Sequence, residues 1–116
     1  MLERIRGIEN AVKEKTYRDY QRSWLLRSAV ERGIEIISEA SRHVGCELKS
    51  AHKDVRWRDI AGIGNSLRHE YQRVDTRVIW QALKDHLPPL NEALLAMQAV
   101  LEEQYRVGQR NLPKPV

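Results

Sequence analysis

Phenylalanine is missing altogether from this 116-residue chain, and its aromatic side chains are three Trp and four Tyr. Cysteine is reduced to Cys46, which excludes an intrachain disulfide and leaves no CxxC or Cys/His partner pattern for zinc. The expected state of Cys46 is a buried or half-buried thiol in a reducing compartment. No apolar run approaches the ~18 residues of a membrane span, and the opening MLERIRGIEN is too polar for a signal peptide. The expectation is therefore a cytoplasmic chain without a membrane role. Low-complexity tracts and internal repeats are lacking as well. Period-two alternation is not sustained over any useful length, so no sheet is expected.

What remains is charge and helical periodicity. Twenty Lys+Arg stand against sixteen Asp+Glu, giving a net charge of +4 and a pI near 9.5. Arg dominates the basic set, and its guanidinium suits bidentate phosphate contacts, so nucleic acid is a permissible partner. The length bounds the chain to one domain, expected over 1–107, with 108–116 as a flexible tail holding two prolines.

Leu2, Ile5, Ile8 or Glu9, and Val12 form a first apolar stripe at three-to-four spacing. A longer one runs through Trp24, Leu25, Ser28, Ala29, Ile34, Ile36, Ile37, Ala40 and Val44, interrupted by Gly33. A mid-helix glycine costs about 1 kcal/mol against alanine, which points to close helix packing there. Gly45 is expected to end this helix as a left-handed cap. Residues 46–53 read as a polar connection with room for one helical turn. Asp54 is the expected cap of a third helix carrying Trp57, Ile60, Ala61, Ile63 or Gly64, and Leu67, with Asp59 in its first turn. Asp75-Thr76 opens another, stopped or kinked by Pro88-Pro89, and Leu90, Leu94, Met97, Leu101 and Tyr105 mark a last helix. The fold class is thus all-α, an antiparallel bundle of four to five helices.

The unusual stretch is Ile60-Ala61-Gly62-Ile63-Gly64-Asn65-Ser66-Leu67-Arg68-His69-Glu70-Tyr71. Asn65 and His69, four apart, share one face of a helix, while Gly62 and Gly64 permit close approach of a backbone or ligand. Histidine transfers protons near neutral pH, and Arg and Asn offer donors where negative charge develops, as phosphodiester cleavage requires. A dimer would let one histidine per chain serve as both acid and base. The same spacing also describes a capping or core histidine beside a solvated arginine face. His43, His52 and His86 are isolated and read as surface residues. No pair has a zinc-site spacing, so no metal or cofactor is expected.

The run Trp57-Arg58-Asp59-Ile60-Ala61-Gly62, then Asn65-x-Leu67-x-His69-Glu70-Tyr71, then Val74-Asp75 and Val78-Ile79-Trp80, resembles the HepT family of HEPN-domain toxins. Upstream, Ala29-Val30-x-x-Gly33 through Ala40 is similar to that family's central helix, and Leu87-Pro88-Pro89-Leu90 is similar to its LPxL element. The resemblance implies a HEPN-type bundle dimerising through the motif helix, and metal-independent RNA cleavage through an Arg-x4–6-His motif. It also implies a type VII-like toxin–antitoxin system, in which an MNT-type nucleotidyltransferase antitoxin transfers AMP to a tyrosine two residues after the histidine. By position these are His69 and Tyr71. The match breaks at the motif arginine, where this chain has Gly64. Two readings follow: Arg68, beside His69, takes over with Asn65 as positioning donor in a homodimeric RNase, or cleavage is impaired and the dimer binds a nucleotidyltransferase or nucleotide.

Overall fold

The computed structural model describes residues 1–70 and 74–110, and every regular element among them is an α-helix. The short helix α1, Leu2–Val12, buries Ile5 and Ile8 as its periodicity predicts. A turn holding Glu14 at φ 62° leads to α2, Tyr17–Arg22. The sequence reading misses α2, although a capping box marks it. Thr16 Oγ1 accepts the Asp19 N–H, and Asp19 accepts the Thr16 N–H at 2.9 Å. Ser23 caps α3, Trp24–Arg42, by accepting the Leu26 N–H at 3.0 Å.

The connection after α3 corrects two expectations. His43, not Gly45, closes the helix, and Gly45 has an ordinary φ of −65° as N-cap of α4, Cys46–Ala51. Cys46 is exposed rather than buried. The next helix, α5, covers Trp57–Glu70, and its first intrahelical bond runs from Ile60 N–H to the Arg56 carbonyl. Asp54 therefore does not cap it. The chain turns through a Val55 N–H to His52 carbonyl bond first, which places Asp54 a full step early. Asp59 does occupy the first turn, where its charge suits the helix dipole and pairs with Arg56 at 2.8 Å.

The last helix, α6, spans Thr76–Arg110 without interruption. Asp75 caps it as expected, accepting the Arg77 N–H at 2.9 Å. Pro88 and Pro89 neither stop nor divide it. Each removes one backbone donor, yet Ile79, Leu83, Leu87, Leu90, Leu94 and Met97 keep one face buried across them. Burying such a side chain contributes about 1.5–3 kcal/mol, so six in register outweigh two lost hydrogen bonds. The helix continues through Gly108 to Arg110, inside the segment expected to be a tail. Leu101 and Tyr105 lie on it exposed, beyond the last buried residue, Met97.

The described residues therefore form six helices rather than four to five. α3 is the central one, covered by α1 on one flank and α5 on another, with α6 across α1 and α2. Ile8 packs where Gly33 leaves room; a Cβ there would stand 2.8 Å from Ile8 Cδ1. Tyr20 is fully buried and stacks on Trp80 at 5.3 Å between centroids. Tyr17 meets the same ring edge-on and hydrogen-bonds Thr76 through its hydroxyl at 2.7 Å. Trp24 and Leu25, expected in the core stripe, are instead 71% and 72% exposed at the start of α3. On that helix Leu26 is the first apolar residue packed against the core and Val30 the first fully buried one.

The closest approach in the bundle is between α3 and α5. Gly64 lies against Ser38, and a Cβ at position 64 would overlap the Ser38 Oγ and Cβ. Ser38 is 1% exposed and its hydroxyl donates to the Ala61 carbonyl at 3.2 Å. Overpacking at such a contact costs about 1–3 kcal/mol. Urea unfolding should show Gly64→Ala destabilised by about that amount, with partial recovery in Gly64→Ala/Ser38→Gly. Gly7→Ala, where a Cβ meets nothing within 4 Å, should instead gain about 0.5–1 kcal/mol. An unchanged midpoint for Gly64→Ala would refute the contact.

Candidate functional site

Helix α5 presents three distinct faces. Ile60, Gly64 and Leu67 are buried and fix its rotation. Each step along a helix turns by about 100°, so Asn65 and His69 stand within about 40° of one another, on the side away from that core. Both are exposed. The predicted pairing of Asn65 with His69 on one face is thus what the fold displays. Arg58 and Gly62 continue the same outer stripe, and a Cβ at Gly62 would meet nothing within 4 Å.

Arg68 goes elsewhere. About 100° around the helix from His69, it turns toward α3, where its Nη1 donates to Glu39 Oε2 at 2.9 Å. Glu39 also lies 3.7 Å from His43 Nε2. The structure pairs Glu35 with Arg32 at 3.1 Å and gives Glu39 to Arg68. Arg42 reaches the Ala61 carbonyl at 3.4 Å instead. The hydrogen bond from Arg68 holds the Glu39 carboxyl below the usual glutamate range. A small desolvation works against it, and the charges of Arg68, Arg42 and His43 add to it.

Gly64 explains why the motif arginine has no place at its expected position. That position faces Ser38 inside the bundle, not the outer stripe. Tyr71 falls in 71–73, outside the described residues. Of the remaining histidines, His86 is half-buried with its Nδ1 enclosed, a correction to its reading as a surface residue.

A groove of about 770 Å³ runs between α5 and α6, walled by Arg58, Gly62, Ile63, Ser66, Val78 and Ala82. The groove thus borders the outer stripe through Arg58 and Gly62, while Asn65 and His69 stand clear of its wall. Among the described residues no three His, Cys, Asp or Glu side chains gather as a metal site would. No helix among them is long and apolar enough to cross a membrane.

The fold and its fifth helix define the class: an all-helical HEPN-type bundle with a polar Asn/His face. The family described as Ribonuclease HepT-like matches residues 1–97. A probable ribonuclease HepT of Thermococcus cleftensis is 35% identical over 90 residues, covering 78% of this chain and 82% of that protein. A candidate RNase of Caldanaerobacter subterraneus subsp. tengcongensis is 33% identical over 92 residues, 79% of this chain and 76% of its own length. One from Methanocaldococcus jannaschii is 28% identical over 92 residues, 79% and 84% of the two chains. No solved structure matches at a significant level. The chain belongs to the HepT-like ribonuclease family.

The Glu39 geometry gives a direct check. Its folded-state pKa lies below that of the unfolded chain. The pair's contribution to stability is therefore present at neutral pH and is lost as pH falls through the folded-state value. NMR titration should place the Glu39 carboxyl below ordinary glutamates, and Arg68→Ala should bring it back up. No movement in that variant would show that the ion pair does not persist in solution.

Proposed function

We propose that the protein is a HepT-like toxin of a type VII-like toxin–antitoxin system, a metal-independent endoribonuclease acting as a homodimer in the cytoplasm. The observation that carries this reading is the exposed Asn65/His69 pair on the outer face of α5, in a chain whose family relatives are named ribonucleases. His69 takes the proton of an RNA 2′-hydroxyl, and the freed oxygen attacks the adjacent phosphorus. The P–O5′ bond then breaks, O5′ takes up a proton, and the products are a 2′,3′-cyclic phosphate and a 5′-hydroxyl. Asn65 positions the phosphodiester as a donor, and Arg68 contributes positive charge from the α3 side.

Tyr71 is the proposed acceptor of AMP from an MNT-type nucleotidyltransferase antitoxin. A nucleotide phosphate two residues from His69 would repel RNA and account for neutralisation.

A second reading rests on Gly64. With glycine packed on Ser38 where the family has its arginine, the same dimer would act as a binding module for the nucleotidyltransferase or for a nucleotide. Purified protein in EDTA decides between them. Under the nuclease reading wild type cleaves RNA, while His69→Ala loses about 100-fold or more in rate with unchanged helicity. Cleavage undiminished in His69→Ala would end the proposed mechanism. A wild type that binds the nucleotidyltransferase but never cuts would establish the binding module.

A further inference from the structure

Two depressions flank α5, and their charges are opposite. The groove toward α6 holds Asp59, Glu70, Asp75 and Asp85 against one guanidinium, Arg58. A second depression, of about 890 Å³, opens where α4 and the following turn meet the start of α5. Lys49, Lys53, Arg56 and Arg58 line it with a single carboxylate, Asp59. Most of the positive excess of a chain whose net charge is +4 is thus matched at one corner. A phosphodiester strand is repelled by the first depression and drawn to the second.

Trp57 organises the corner. Its indole N–H donates to the His52 carbonyl at 3.1 Å, which fixes the ring against the turn between α4 and α5. Lys49, half-buried in α4, holds its ammonium 5.8 Å from the centroid of that ring. A cation already placed in this way loses less side-chain freedom when a phosphate arrives. Arg56 closes on Asp59 at 2.8 Å, whereas Lys49, Lys53 and Arg58 make no ion pair among the described residues. Arg58 also belongs to the outer stripe of α5, which runs on through Gly62 and Asn65 to His69. Gly62 leaves the middle of that stripe open, since a Cβ there would meet nothing within 4 Å. Eleven residues of helix set Arg58 about 16 Å from His69 along the axis, a span of a few nucleotides.

Resting on the nuclease reading, we infer that Lys49, Lys53 and Arg58 form a seat for single-stranded RNA, gripping backbone phosphates a few nucleotides from the one cleaved at His69. Three unpaired cations spread over a depression of this size, and continued by Arg58 onto the stripe, suit a chain of phosphates better than one phosphate group. The seat reads charge rather than base edges, so it accepts any sequence. It holds ground state and transition state alike, and therefore lowers KM without accelerating the chemical step. The acidic groove on the other side of α5 closes the alternative path and gives the strand one direction of approach.

A labelled 2′-O-methyl RNA of about twelve nucleotides lacks the attacking hydroxyl, cannot be cut, and reports binding alone. Lys49→Gln/Lys53→Gln should bind it about tenfold more weakly whatever its base sequence, with unchanged helicity. The slope of log K against log salt should become shallower by about 1.4, the loss of two phosphate contacts. Arg4→Gln/Arg6→Gln removes the same charge from exposed positions on α1 and should leave both quantities as in wild type. With cleavable RNA, Lys49→Gln/Lys53→Gln should raise KM and keep kcat, while a dinucleotide, too short to reach the corner, is cut at the wild-type rate. Equal weakening in the two double variants would show that net charge alone attracts RNA and would overturn the seat, as would an unchanged salt slope. Displacement of the RNA by an equimolar amount of AMP would also overturn it, assigning the corner to a single nucleotide. A wild type that binds the uncleavable RNA in the expected way but never cuts would defeat the nuclease reading and leave the seat standing.

Discussion

The contact of Gly64 with Ser38 sets the rest of the arrangement. With no side chain at 64, the backbones of α3 and α5 come close enough for the Ser38 hydroxyl to reach the Ala61 carbonyl. Ser41, also buried, donates in turn to the Ser38 carbonyl at 2.6 Å. The polar atoms of a tightly packed seam thus satisfy one another, which matters because a buried hydroxyl without a partner costs about 1–3 kcal/mol. Ile60 and Leu67 flank the glycine and bury its neighbouring turns. Once α5 is locked in this rotation, Asn65 and His69 have to face outward.

The same seam sorts the charges. Arg68 emerges on the α3 side and meets Glu39, while Arg56 and Asp59 close the first turn of α5 on themselves. Exposed pairs of this kind contribute at most about 1 kcal/mol each, so their significance is directional. They decide which guanidinium groups already have a carboxylate and which remain available to a phosphate. The groove between α5 and α6 borders the outer stripe at Arg58 and Gly62, but its wall does not include Asn65 or His69.

Much of this was legible in the sequence, and the exceptions have physical causes. The α1 stripe, the core role of Leu67, the Asp75 cap and the shared face of Asn65 and His69 follow from short-range spacing, and the structure repeats them. Gly33 correctly signalled a close packing point. Pro88-Pro89 misled because local propensity was outweighed by an apolar face that runs on in register through Met97. Gly45 and Asp54 were plausible caps displaced by α4 and by the turn at His52–Val55. Trp24 read as core because periodicity marks a stripe without marking where burial begins. The Ser38–Gly64 contact joins residues 26 apart, and no local pattern announces such a pairing.

The seam also has a consequence for how this sequence can change over generations. A side chain at 64 requires Ser38 to shift or to be replaced by something smaller. An intermediate with glycine at both positions has a looser α3–α5 contact and no new chemistry to favour it. Positions 38 and 64 are therefore coupled, and a larger residue at one is reached most easily through a smaller residue at the other.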